Sequence, residues 1–102
     1  MSSVDFGYLE GFLGGDVSIA LEVVVLFRRQ ASTWGEGLGA DNPDWRSVVH
    51  TIKGAARGIG ANALGDACDK AEFGGAEDLP AVRAALEAAV ADIEAYESDK
   101  AA

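Results

Sequence analysis

The sequence predicts an all-α fold: an antiparallel four-helix bundle with a short additional N-terminal helix. Three observations carry this prediction. Apolar residues recur at three- and four-residue spacing in successive segments, glycines fall mostly between those segments, and only two prolines occur in 102 residues. Composition agrees, since 49% of residues are hydrophobic, with abundant Ala, Leu and Val, which favours helix and argues against disorder. At this length, residues 1–102 form one domain that buries about two thirds of the extended chain's surface, enough for one core.

Val4, Phe6, Tyr8, Leu9, Phe12 and Leu13 mark a short first helix that closes at Gly14-Gly15. Asp16 is a good N-cap for a second helix running to about Ser32, with Ala20, Leu21, Val23, Val24 and Phe27 on its core face. The β-branched run Val23-Val24-Val25 also fits a strand. Helix is preferred, because Glu22, Arg28, Arg29 and Gln30 fall in helical register and no second strand is available for pairing. Val25 and Leu26 project away from the main stripe, either as a docking surface or to receive the first helix.

Residues 35–41 read as a glycine-rich loop, and Asn42-Pro43 as the cap and first-turn pair of the third helix. That helix should end near Gly58 or Gly60, where glycine can supply positive φ. A fourth helix, from about Asn62 to Phe73, carries Leu64, Ala67, Cys68 and Ala71 on one face and stops at Gly74-Gly75. A fifth, from Leu79 or Pro80 to about Glu97, repeats Leu79, Val82, Leu86, Ala89, Val90, Ile93 and Tyr96 at bundle spacing. The tail from Ser98 to Ala102 is expected to fray. Trp34 and Trp45 read as core or edge packing.

The formal net charge of -9 argues against nucleic acid or an anionic membrane as partner, because both require a basic surface. Cys68 is the only cysteine, which excludes an intramolecular disulfide and a cysteine-built metal site, and it reads as a small core residue. The first fifteen residues carry Asp5 and Glu10 but no Lys or Arg, unlike a signal peptide. The most apolar stretch, Val17 to Phe27, is interrupted by Glu22 and is far shorter than the roughly 20 residues that span a bilayer. A soluble, cytoplasmic protein is the expectation, and a monomer, because the helices can bury their apolar faces against one another.

The third helix is the informative one. At roughly 100° per residue, Trp45, Val48, Val49, Ile52, Ala55, Ala56 and Ile59 gather on one side. His50, the chain's only histidine, falls on the other side with Arg46, Lys53, Gly54 and Arg57, about 140° from the centre of the apolar stripe. Three of the eight Lys and Arg residues thus surround one outward imidazole in an otherwise acidic chain.

A neutral imidazole nitrogen is a competent nucleophile near neutral pH, because its unperturbed pKa is about 6.5. It can accept a phosphoryl group without a separate base. Lys53, at i+3, is placed to pair with the negative charge so introduced, and Arg46 at i-4 and Arg57 at i+7 lie along the same strip. Arg46 and Arg57 could equally be solvated charges or contacts for phosphate or a partner. Glycine inside a helix costs roughly 1 kcal/mol relative to alanine, and a side chain at i+4 leans back over residue i. Gly54 therefore leaves His50 open to a large partner, unless it serves only close helix packing.

His50-x-x-Lys53-Gly54 within an amphipathic helix, continued by Ala55-Ala56, Gly60 and Leu64, resembles the histidine-containing phosphotransfer (HPt) domain of bacterial phosphorelays. The likeness is close from Trp45 to Glu72 and, through the helix order, extends to the whole chain. It implies that His50 carries a phosphoryl group exchanged with the phospho-aspartate of a response-regulator receiver domain, with a hybrid histidine kinase as a further partner. Lys53 would stabilise phosphohistidine, and Gly54 would clear space for the receiver. The resemblance implies a carrier with no kinase activity and no cofactor of its own, since Mg²⁺ and the acidic pocket belong to the receiver.

One position departs from the pattern. Many relatives have a glutamine 22 residues after the histidine, where this chain has Glu72. A carboxylate accepts hydrogen bonds but cannot donate unless protonated, and it repels phosphate. Either Glu72 pairs with a cation such as Lys53, or it orients His50 by accepting its other N–H.

Rival readings follow from the same residues. A hydrolytic enzyme is disfavoured, since a lone histidine and a lone cysteine on separate helices offer no triad and no P-loop pattern occurs. A metal site lacks a second histidine at i+4. A scaffold or inhibitor that binds a receiver or histidine kinase without transferring anything remains open.

Overall fold

The computed structural model describes residues 3–101, and all its regular elements are helical: α1 (Phe6–Phe12), α2 (Val17–Glu36), α3 (Trp45–Ile59), α4 (Asn62–Phe73) and α5 (Leu79–Ala101), with a single 3₁₀ turn at Ala76–Asp78. Helices α2 to α5 close a ring in which α2 packs on α3, α3 on α4, α4 on α5 and α5 back on α2. Val23-Val24-Val25 lies within α2, as the helical register of its charged neighbours requires.

The core is built mainly from the predicted stripes, with Ala31, Leu38 and Ala61 added from outside them. Ala20, Val24 and Phe27 from α2, Val49, Ile52 and Ala56 from α3, Leu64, Cys68 and Ala71 from α4, and Val82, Ala89 and Ile93 from α5 are all buried. Burial pushes the Cys68 thiol up to about 11, so it behaves as a core residue. Trp45 is buried, and Trp34 packs edge-on against Phe27 with ring centroids 5.2 Å apart.

Capping sets several boundaries. Asp5 and Asp16 accept the backbone N–H groups of Tyr8 and Ile19 at 3.0 and 3.1 Å, starting α1 and α2. Helix α1 is pinned across the bundle end by stacking of Phe6 on Tyr96, 4.2 Å between centroids, and by the Tyr96 hydroxyl donating to Glu10 at 3.0 Å. Bidentate pairing of Arg28 with Glu97, at 2.8 and 3.1 Å, ties α2 to α5.

Three boundaries differ from the sequence reading. Helix α2 continues past Ser32 to Glu36, because Trp34 extends its packing face and Arg83 from α5 donates to the Gly35 carbonyl at 3.0 Å. Helix α3 begins at Trp45 rather than at Asn42-Pro43. Asn42 instead closes the preceding loop, donating to the Gly37 carbonyl and accepting from the Asp44 N–H, both at 3.0 Å. Helix α5 runs through the expected frayed tail to Ala101.

Of the two glycines offered as the end of α3, Gly60 is the one used. Its φ of 79° is left-handed, its N–H returns to the last turn, and its carbonyl accepts the Asp5 N–H at 2.9 Å, joining α1 to α3. A β-carbon there would also lie 3.1 Å from the Asp5 carbonyl oxygen. Gly60→Ala is therefore expected to destabilise the domain by about 1–2 kcal/mol from the backbone conformation alone. Thermal denaturation should show a Tm lowered by about 4–8 °C per kcal/mol.

Candidate functional site

The helical phasing that buries Val49, Ile52 and Ala56 turns His50 outward, and its side chain is 71% exposed. Helix α4 runs back along α3 so that Glu72 lies beside it. The Nδ1 of His50 sits 2.6 Å from Glu72 Oε1, and the Lys53 Nζ donates to Glu72 Oε2 at 2.7 Å. The sequence left two roles open for Glu72, pairing with Lys53 or orienting His50. One carboxylate does both.

The electrostatics of this trio fix the histidine tautomer. The hydrogen bond from Lys53, followed by that from His50, holds the Glu72 carboxyl below the usual carboxylate range, and the same bond with Glu72 raises the Lys53 ammonium. An ionised carboxylate only accepts, so the proton of the short contact belongs to His50 Nδ1. Nε2 then carries the lone pair on a ring that is mostly open to solvent.

Lys53 is less open than the sequence implies. Its side chain is 20% exposed, Asp69 Oδ1 lies 3.4 Å from Nζ, and the Phe73 ring is 5.4 Å away. Arg46 folds over Trp45 and donates to the carbonyls of Glu72 and Gly74 at 3.4 and 3.1 Å, capping the end of α4. Arg57 turns towards the start of α4, where it pairs with Asp66 at 2.9 Å and donates to the Asn62 carbonyl at 3.4 Å. It crosses Gly65 so closely that a β-carbon there would lie 2.8 Å from the guanidinium. Arg46 and Lys53 thus converge with His50 on Glu72, while Arg57 is engaged two turns away.

Gly54 is exposed, and a β-carbon built on it meets nothing within 4 Å. Close helix packing therefore does not require glycine here. A groove between α2 and α3 is lined by Leu26, Ala55 and Gly58, starting one residue on from Gly54 in the chain. Leu26 is 57% exposed, so α1 does not cover it.

The sequence model of the Hpt domain matches residues 22–96, which contain the whole of this arrangement. The chain belongs to the Hpt domain family. The crystal structure of the histidine phosphotransferase ShpA from Caulobacter crescentus is similar to this Hpt domain at 50% identity and a TM-score of 0.92, covering 98% of this chain and 95% of that one. No curated protein matches the chain.

Sequence reasoning missed Asp66, Asp69 and Gly65 in this Hpt domain. The signal was present: Asp66, Asp69 and Glu72 recur every three residues on α4, and α3 presents Arg57, Lys53 and His50 in the reverse direction. Among the described residues no cluster of three or more His, Cys, Asp or Glu side chains is arranged to hold a metal ion. No helix among them is long and apolar enough to cross a membrane.

Proposed function

We propose that this Hpt domain is a monomeric phosphorelay carrier that accepts a phosphoryl group on His50 and exchanges it with the aspartate of response-regulator receiver domains. The observation that carries this reading is the pairing of His50 Nδ1 with an ionised Glu72, which leaves Nε2 as an exposed nucleophile beside a bare Gly54. In the forward step, Nε2 attacks the phosphorus of the receiver's aspartyl phosphate. The N–P bond forms as the O–P bond breaks, and the leaving electron pair returns to the receiver's aspartate. The imidazole ring gains positive charge, which Glu72 offsets through the Nδ1 proton.

Lys53 lies one turn from His50, where an incoming phosphoryl can draw part of its hydrogen bonding away from Asp69 and Glu72. The groove beside Gly54, with Leu26 and Ala55, gives a receiver an apolar flank on which to seat. The receiver supplies Mg²⁺ and the acidic pocket; this chain supplies nucleophile, counter-charge and access, with no kinase activity. A hybrid histidine kinase bearing a receiver domain is a partner of the same chemistry. Arg46 and Arg57 would act at the edges of that interface, and the carrier would work in the cytoplasm, where receivers are found.

The test is transfer of label. Incubation with a phosphorylated receiver domain is expected to place acid-labile label on the wild type and none on His50→Gln. Binding without transfer would instead favour a scaffold or inhibitor, and label persisting on His50→Gln would overturn the assignment of the acceptor.

A further inference from the structure

Two of the three cations that make α3 look like a phosphate cradle, Lys53 and Arg57, are already matched by carboxylates of α4, while Arg46 is engaged by backbone carbonyls at its end. Arg57 pairs with Asp66 at 2.9 Å, and Lys53 lies between Asp69 at 3.4 Å and Glu72 at 2.7 Å. Read along the two antiparallel helices, Arg57, Lys53 and His50 in turn each meet a carboxylate of α4, ending at Glu72. A phosphoryl group on His50 brings close to two further negative charges into this ladder. It gains the Lys53 ammonium only by competing with two carboxylates for it.

We infer that Asp69 is a positioning residue which, by sharing Lys53, destabilises phospho-His50 and poises the site to give its phosphoryl group away. This rests on the assignment of His50 as the acceptor and adds a direction to it. Asp69 touches neither His50 nor the phosphoryl, and acts through the ammonium it holds. Its side chain is more than half exposed, so the effect is that of a partly screened pair, about two- to fivefold in equilibrium. The site is thereby a donor more than a store.

A receiver is not needed to measure this. Phosphoramidate donates its phosphoryl group to an imidazole: Nε2 forms a bond to phosphorus, the P–N bond of the N-protonated donor breaks, and its nitrogen departs as ammonia with the protons it already carried, leaving the Nδ1 proton on the ring. The equilibrium between phosphoramidate with free protein and phosphoprotein with ammonia, read by ³¹P NMR, reports the stability of phospho-His50 directly. Asp69→Asn is expected to shift this equilibrium towards phosphoprotein by about two- to fivefold, with Asp69→Glu close to the wild type. Glu87→Gln, on exposed α5 surface, makes the same change in net charge and is expected to leave the equilibrium unshifted.

An unchanged equilibrium in Asp69→Asn, or an equal shift in Glu87→Gln, overturns the inference. In either case the label-transfer experiment still reports on the carrier. Failure of phosphoramidate to load His50 while it loads free imidazole would remove the acceptor assignment and this inference with it.

Discussion

Gly54→Leu is expected to leave the bundle folded and to slow phosphoryl transfer from a receiver domain by about 100-fold. The magnitude is that of displacing reacting groups by about 1 Å, which costs on the order of 10² in rate. The fold should tolerate the change because a β-carbon at this position meets nothing within 4 Å and the site is exposed. Leucine is a better helix former than glycine, which lies roughly 0.8–1.0 kcal/mol below alanine, so Tm should hold or rise. The side chain would lean back over His50, into the volume a receiver's active site must enter. Single-turnover transfer rates measured beside thermal denaturation separate the two effects. A wild-type rate in Gly54→Leu would remove the argument from access.

Glu72→Gln is expected to lengthen the lifetime of phosphohistidine by about tenfold. A hydrogen bond to a charged acceptor is stronger than one to a neutral amide, so the exchange weakens the hold on the Nδ1 proton without abolishing the contact. In the wild type, Glu72 holds the Nδ1 proton, and a phosphorylated ring that keeps that proton is the better leaving group. The same carboxylate repels the phosphoryl oxygens. Glutamine keeps the shape and can still accept the Nδ1 hydrogen bond, but it removes the charge that holds the proton on the ring and repels the phosphoryl.

The pH dependence follows from the sign of the Glu72 shift. The Lys53 hydrogen bond, and after it that of His50, keeps Glu72 ionised below the ordinary carboxylate value of 4.5. The Glu72 effect should therefore persist through neutral pH, and the arrangement is lost only as pH falls through that depressed value. Decay of the label, followed by ³¹P NMR in wild type and Glu72→Gln, checks both statements. An unchanged decay rate would take Glu72 out of the site.

Much of this was legible in the sequence because helices here declare themselves by period. Val24, Ile52, Leu64 and Ile93, one from each predicted stripe, are fully buried, with Leu21, Val48, Ala67 and Val90 partly buried beside them, and α4 spans Asn62 to Phe73 as its flanking glycines indicate. The outward phase of His50 follows from the inward phase of Ile52. Element ends were less legible where tertiary contacts decide them. Arg83 reaching Gly35 extends α2, and Asn42, three residues ahead of α3, serves the preceding loop, neither of which local capping preference reveals. The site was legible on α3 and obscure on α4, because pairing of Lys53 with Asp69 and of Arg57 with Asp66 depends on how two helices register. A strip that reads as basic in one helix is neutralised by the next.

The most direct measurement is nitrogen NMR of the imidazole, unambiguous because His50 is the only histidine. With ¹⁵N-labelled protein loaded from a phosphorylated receiver domain, one-bond coupling to phosphorus should appear on Nε2. In the unloaded protein, Nδ1 should carry the proton. Coupling on Nδ1, or a proton on Nε2 in the free protein, would contradict the account.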